Sequence, residues 1–71
     1  MENEREKKSL GAAIKAERER QGISQRRFAL MTGTSRSYLW RIESGCADVG
    51  IDVLCRIARA LGTDVKNLIE F

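Results

Sequence analysis

The chain contains no proline and no histidine, and only two of its 71 residues are cysteines. Without histidine, the two thiols Cys46 and Cys55 cannot supply the four ligands of a structural zinc site. Two cysteines are also too few for a disulfide scaffold, so we expect both thiols to be reduced. No metal site and no cofactor is therefore expected.

Long apolar runs are missing as well. No stretch of about 18 apolar residues is present that would span a membrane. The N-terminus, MENEREKKS, lacks the apolar segment of a signal peptide. We therefore expect a cytoplasmic protein without a membrane partner. An enzyme is not expected either, because there is no histidine, no base near Cys46 and no glycine-rich phosphate loop.

Acidic residues are absent from one long internal segment. Residues 1–19 carry five basic and five acidic side chains, whereas residues 20–42 carry five arginines and no acid. Residues 43–71 carry three basic and five acidic side chains. The net charge of +3 thus arises from a central segment of +5 and a C-terminal part of −2. This concentration of positive charge predicts a polyanionic partner.

The remaining pattern is helical throughout. Apolar residues recur at spacings of three and four, and glycines separate the periodic segments. We predict a single all-α domain of five short helices, at about 10–21, 25–32, 36–44, 51–61 and 65–70. In the fourth helix the apolar residues at helical spacing are Ile51, Leu54, Cys55, Ala58 and Leu61.

Residues 1–9 are predicted to be a charged N-terminal extension to a domain of residues 10–71. Asn3 followed by Glu6 would fit a capping box, which would start the first helix earlier.

Two of the predicted helices are joined by a very short link. Only two or three residues around Gly33 and Thr34 separate the second helix from the third, so these helices must cross steeply. Glycine at this point allows a positive φ. Ala29, four residues earlier, is small enough for close approach, and Leu39 and Ile42 anchor the third helix. This spacing is typical of a helix-turn-helix.

Three blocks of sequence, GISQRRFA, GTSRSYLWRIESG and LCRIARALGTDV, carry a family resemblance. In order and spacing they resemble the phage-repressor family of helix-turn-helix proteins, the Cro and xenobiotic-response-element-like regulators. The resemblance extends from about Leu10 to Phe71. It implies a five-helix, lambda-repressor-like domain that binds double-stranded DNA as a homodimer on a palindromic operator. We expect a sequence-specific transcriptional regulator, and specifically a repressor.

The third helix has an outward face suited to DNA. Leu39 and Ile42 define its buried direction, since residues follow one another at about 100° around a helix. The residues on the opposite side are Arg36, Ser37, Trp40, Arg41 and Ser44. Arginine can donate two hydrogen bonds to guanine, and serine can donate or accept one. This face therefore predicts contact with base edges in the major groove.

The resemblance assigns roles to particular residues. Arg36, Ser37 and Arg41 match base-reading positions of the family. Ser35 and Gln25 match positions that commonly contact the sugar–phosphate backbone, and Gln25 lies in the first turn of its helix, where free amides favour a phosphate. The predicted DNA-binding residues are Gln25, Ser35, Arg36, Ser37, Trp40 and Arg41.

Arg18 and Glu43 match a family pair that ties the first helix to the third. We predict an ion pair here that serves the structure and does not contact DNA.

Several positions depart from the family or leave two interpretations open. Trp40 either folds back over the fourth helix or the following loop, or contacts the DNA groove. The hydroxyl of Tyr38 either binds a phosphate, or the ring packs on the second helix. Leu30 and Met31 replace polar residues, and they either widen the core or form an exposed patch.

The loop after the third helix, GCADVG, also differs from its relatives. Cys46 and Ala47 stand where basic residues are usual, and Asp48 adds a negative charge. Phosphate binding by this loop must therefore rest on backbone amides, or be weak.

The C-terminal segment VKNLIEF has more apolar residues than one short helix needs. Val65, Leu68, Ile69 and Phe71 predict a homodimer interface through the last helix, unless Leu68 and Phe71 complete the monomer core. No small-molecule ligand is expected, since the chain has no room for a sensory domain.

An alternative function is that of an antitoxin or another protein-interaction module. Its partner would bind an apolar patch around Leu30, Met31 and Trp40.

Overall fold

The computed structural model describes residues 3–69, which form an all-α fold without strands. The elements are α1 (Glu4–Arg20), α2 (Gln25–Thr32), α3 (Arg36–Glu43), α4 (Ile51–Leu61) and a 3₁₀ turn (Val65–Asn67). The prediction of five helices is wrong, because the last segment forms only this single turn within the described range. Asp64, at the N-cap position of this turn, makes no capping hydrogen bond through its side chain. None of the described helices has the length and apolar character needed to cross a membrane.

Helix α1 begins at Glu4, six residues before the predicted start at Leu10. Asn3 occupies the N-cap position without a side-chain hydrogen bond, so the predicted capping box does not form. Its backbone carbonyl instead accepts a hydrogen bond from Lys7 N at 3.0 Å. Glu4 and Glu6 lie in the first turn, where negative charge interacts favourably with the helix dipole.

The helix-turn-helix is formed by α2 and α3. Ser24 Oγ accepts a hydrogen bond from Arg27 N at 3.1 Å, and Ser35 Oγ accepts one from Tyr38 N at 3.0 Å. Both serines therefore cap their helices, a position at which serine is strongly favoured. Gly33 ends α2 with a φ of 67°, a left-handed conformation that glycine adopts without strain.

One apolar core joins the four helices. Its fully buried large side chains are Ile14, Phe28, Leu39, Ile42 and Ile57. Not all of the apolar residues at helical spacing on α4 are buried: Ile51 is 68% exposed and Cys55 is half-buried. Leu54, Ala58 and Leu61 are buried as predicted, and Ile57 completes their face. The side of α4 that faces the core is therefore the one shared by Leu54, Ile57, Ala58 and Leu61.

Helix α1 also packs directly on the backbone of α3. A Cβ atom built on Gly11 would lie against the carbonyl oxygen of Ile42 and 2.8 Å from that of Glu43. Only glycine therefore allows α1 to come this close to the C-terminal end of α3.

We expect Gly11→Ala to destabilise the protein by about 1–3 kcal/mol, because the added methyl forces α1 and α3 apart. This exceeds the gain of up to about 1 kcal/mol that alanine brings to a helix interior. Gly50→Ala is the control, since a Cβ there meets no atom within 4 Å. Urea denaturation monitored by circular dichroism measures both variants. Equal stability of the two would show that the α1–α3 contact tolerates a methyl group.

A buried ion pair holds the same two helices together. Arg18 donates from Nε to Glu43 Oε2 at 2.7 Å and from Nη2 to Glu43 Oε1 at 3.0 Å, so the predicted pair is confirmed. Arg18 Nη1 also donates to the carbonyl oxygen of Ile23 at 2.6 Å. The hydrogen bonds to Glu43 raise the pKa of Arg18 above its usual value. Both charges are therefore paired and satisfied by hydrogen bonds, as buried charges must be.

We expect Arg18→Met to cost about 3–5 kcal/mol of stability, because it leaves the Glu43 carboxylate buried without its partner. The double variant Arg18→Met/Glu43→Leu should recover much of this loss, since it removes both charges. Thermal unfolding measures the difference between the two.

Arg20→Met is the matched control for this prediction. Arg20 is exposed and pairs with Glu17 on the surface, where its hydrogen bonds, with those of Gln21, lower the pKa of Glu17 to about 2. Removing a surface ion pair of this kind usually changes stability by less than about 1 kcal/mol. An equal loss in Arg18→Met and Arg20→Met would contradict the structural role of the buried pair.

Candidate nucleic-acid interface

Helix α3 presents its predicted face to solvent. Leu39 and Ile42 are almost completely buried, at 0% and 1% exposure. The exposed residues of the helix are Arg36, Ser37, Trp40 and Arg41, and Ser44 follows them at the C-cap. The outward direction predicted for this face is confirmed. The structure thus brings two guanidinium groups and two hydroxyls together on one side of a single helix.

This face carries no acidic side chain. The only acid within α3 is Glu43, which is buried beneath the helix in the pair with Arg18. Within residues 3–69, the side chains of Arg26, Arg27 and Arg36 make no hydrogen bond or ion pair. Arg41 makes only one long hydrogen bond, from Nη2 to the carbonyl oxygen of Cys46 at 3.5 Å. The guanidinium groups are therefore available to an anionic partner.

The two residues predicted at the sugar–phosphate backbone lie in different environments. Gln25 is half-buried, and its Nε2 donates to Glu43 Oε1 at 3.0 Å. Its side chain thus belongs to the Arg18–Glu43 cluster, and its backbone amide remains in the first turn of α2. Ser35 is exposed, and its Oγ accepts the capping bond from Tyr38 N. This bond does not use the hydroxyl proton, so the hydroxyl can still donate.

Tyr38 makes a contact that the sequence did not predict. Its ring packs against the core, and its hydroxyl donates to the carbonyl oxygen of Asp48 at 3.2 Å. The side chain therefore ties the start of α3 to the loop that follows the helix. Sequence reasoning missed this contact because it joins residues ten positions apart across an irregular loop.

Three large apolar side chains of α2 and α3 are exposed to solvent. Trp40 is 57% exposed, so more than half of its side chain remains in solvent. Leu30 is 79% exposed and Met31 is 44% exposed, so neither widens the core. Apolar side chains of this size in solvent commonly mark a contact site.

Lysines of α1 lie beside the loop after α3, where the loop itself has no basic residue. Gly45 adopts a φ of 76°, and a Cβ built on it would lie 2.8 Å from the Cα atom of Lys8. Lys7 Nζ forms an ion pair with Asp48 Oδ1 at 2.9 Å, which neutralises the negative charge of the loop. Ala47 is buried, which explains the small residue at this position. The sequence signal that could have placed these lysines here was the pattern of Asn3 and Glu6, which allowed an earlier start of α1.

The part of the chain that the structure describes offers no cluster of metal-ligating side chains. Among residues 3–69, no group of three or more histidine, cysteine, aspartate or glutamate side chains is placed to hold an ion. The arrangement offers donors of hydrogen bonds and positive charge, which suits the binding of a polyanion rather than acid–base catalysis.

Comparison with known proteins places this geometry in a family. The helix-turn-helix family profile matches residues 14–68, which is most of the chain. The sequence comparison with curated proteins gave no match.

Solved structures share the fold closely. The clp gene regulator ClgR from Corynebacterium glutamicum is 31% identical, with a TM-score of 0.85 over 87% of this chain and 66% of its own. The restriction-modification controller protein C.AhdI from Aeromonas hydrophila is 28% identical, with a TM-score of 0.83 over 86% of this chain and 92% of its own. ComR from S. thermophilus is 38% identical, with a TM-score of 0.82 over 87% of this chain.

The chain spans slightly less than two thirds of that ClgR chain and 21% of ComR. The family match over residues 14–68 and the regulator structures together identify this domain. The chain belongs to the Cro/C1-type helix-turn-helix family of DNA-binding transcriptional regulators.

Proposed function

We propose that this protein is a sequence-specific repressor that reads the major groove of double-stranded DNA with α3. The observation that carries the proposal is the exposed face of α3, which holds two arginines and no acid. Arg36 and Arg41 donate to guanine, and Ser37 donates to or accepts from a neighbouring base. Repression follows from occupancy, since a domain bound over a promoter excludes other proteins from it.

Contacts to phosphates hold α3 in register on the DNA. We propose that the first turn of α2 contributes through the backbone amide of Gln25, and that Ser35 donates its hydroxyl proton to a phosphate. Lys8 adds a charged contact on the other side of α3, beside Gly45. Phosphate binding near the loop thus comes from α1, because Cys46 and Ala47 offer no charge.

A palindromic operator bound by a homodimer completes the proposal. In helix-turn-helix dimers the two recognition helices enter successive major grooves about 34 Å apart. The base-reading face of a single α3 covers only a few base pairs, so two copies are needed to specify a site uniquely. A regulator of this kind acts in the cytoplasm, where it reaches its DNA.

A protein-interaction module is the second candidate function. The exposure of Leu30, Met31 and Trp40 favours it, because a partner protein would cover this apolar surface. Trp40→Ala distinguishes the two functions when duplex binding and co-purification of a co-expressed partner are both measured. Loss of the partner with DNA binding retained would favour the module. Loss of DNA binding alone would place Trp40 in the groove.

We expect Arg36→Ala and Arg41→Ala each to cost about 1–3 kcal/mol of operator binding and to relax base preference at one position. Each arginine contacts one base pair, so the preference lost is local. Lys66→Ala removes one positive charge from the exposed 3₁₀ turn and serves as the control. Sites selected from a random duplex library define the operator, and fluorescence anisotropy measures the affinities. Equal losses on every sequence would show that these arginines contact only phosphates.

We expect Lys8→Ala to weaken binding to all duplexes equally and to reduce the salt dependence of binding by about one released counterion. The physical reason is that a phosphate contact is independent of base sequence. Lys15→Ala, in the exposed middle of α1, is the matched control and should leave the salt slope unchanged. Titrations at several salt concentrations measure the slope. A base-dependent loss in Lys8→Ala would contradict a phosphate contact.

A further inference from the structure

The exposed side of α4 does not pack in the core and is not part of the face of α3 that we propose binds DNA. Asp52, Cys55, Arg56 and Arg59 line a shallow surface depression of about 410 Å³ on this side. Ile51 lies next to it with 68% of its surface exposed. An apolar side chain and charges of both signs thus share one helix face that has no partner within residues 3–69.

The spacing of these residues makes a single stripe. Asp52, Cys55, Arg56 and Arg59 recur at intervals of three and four, so they lie above one another along the helix. The acid is near the N-terminal end of α4 and Arg59 is in its last turn. The midpoint between Asp52 and Arg59 is also the midpoint between Cys55 and Arg56. The stripe is therefore complementary in charge to a second copy running in the opposite direction.

An antiparallel pair of such helices satisfies both charges at once. With the two-fold axis beside residues 55 and 56, Asp52 lies opposite Arg59 of the partner subunit. Arg59 then lies opposite Asp52 of the partner subunit, as the symmetry of a dimer requires. The opposed helix dipoles add to the attraction. Two symmetric ion pairs thus fix the register of the helices.

The other two residues of the stripe fit the same arrangement. Cys55 lies beside the axis, next to Cys55 of the partner subunit, where a half-buried thiol packs as a small apolar side chain. Arg56 is directed away from the stripe towards the end of α2, since its Nη1 lies 3.1 Å from a Cβ built on Gly33. Its charge is therefore drawn towards the C-terminal end of α2, where positive charge is favourable.

We propose that the homodimer forms through antiparallel packing of α4 on α4 of a second copy, held by Asp52–Arg59 ion pairs on either side of Cys55. This interface rests on the proposed function, because it supplies the dimer that a palindromic operator needs. It replaces the interface predicted at the C-terminus. Leu68, at 4% exposure, belongs to the monomer core, and Phe71 lies outside the described residues.

The interface is small. One pair of 11-residue helices falls at the low end of specific interfaces, below about 1,200 Å². We therefore expect weak, concentration-dependent association that decreases with added salt, since exposed charges are screened.

Charge reversal tests the pairing by sedimentation in the absence of DNA. The wild-type chain of 8.0 kDa should shift towards twice its mass as concentration rises. Asp52→Arg and Arg59→Asp should each remain monomeric, because each places like charges opposite one another. A one-to-one mixture of these two variants should associate, since both pairs in the heterodimer are then complementary. The double variant Asp52→Arg/Arg59→Asp should also associate.

The control is Asp64→Arg, which reverses an exposed charge outside α4 and should sediment like the wild type. Association of both single variants at wild-type strength would overturn the proposal, and so would a mixture that stays monomeric. Circular dichroism measures whether each variant is folded. Association in the mixture would also show that each single variant alone stays monomeric because of its charge and not because it is unfolded.

A thiol oxidant such as diamide gives a second test, in a Cys46→Ser background that removes the other thiol. Cys55 should then form a disulfide-linked dimer more readily than in the same chain carrying Arg59→Asp. Equal yields in both chains would contradict the proximity of the two Cys55 residues.

DNA binding separates this proposal from the proposed function. Asp52→Arg should bind a duplex with one half-site as the wild type does, and should lose the extra affinity of the full palindrome. If half-site binding is normal but the charge reversals leave association unchanged, the α4 interface is rejected and the DNA-binding function is not. Association through α4 without binding to any duplex would reject the DNA-binding function alone.

Discussion

The ion pair between Arg18 and Glu43 is the constraint on which the exposed face of α3 depends. A helix of eight residues is not stable by itself in water, so α3 must be held by its tertiary contacts. Glu43 accepts two hydrogen bonds from Arg18 and one from Gln25, which joins α1, α2 and α3 at one buried carboxylate. The only acid of α3 is thereby turned inward. The outward face keeps its positive charge as a direct result.

The surface around α3 is built from parts of the chain that are far apart in sequence. The N-terminal turns of α1 bring Lys7 and Lys8 to the loop after α3, where one neutralises Asp48 and the other lies beside Gly45. Tyr38 ties the same loop to the beginning of α3. These contacts keep the loop against α1, so the ends of α3 are both attached. A rigid support of this kind is what accurate base contacts require.

The faces of α3 and α4 would then have separate tasks. One carries charge of a single sign, suited to DNA, and the other carries both signs in an order suited to a second copy of itself. If two copies associate only weakly in solution, binding to the two half-sites of one operator would bring them together, and the dimer would form on the DNA. Linked binding events of this kind raise affinity without new contacts at either face. Occupancy of the operator would accordingly depend steeply on protein concentration.

The sequence by itself determined the features that depend on local spacing. Glycines and apolar periodicity located α2 to α4, and the same periodicity identified the outward side of α3 with Arg36, Ser37 and Arg41. Only the tertiary structure decided the start of α1, the contacts of Gln25 and Tyr38, and the replacement of a fifth helix by one turn. It also exposed Ile51 and buried Ile57 on α4. Local rules follow from the geometry of one helix, whereas these features depend on which distant atoms compete for the same space and the same hydrogen bonds.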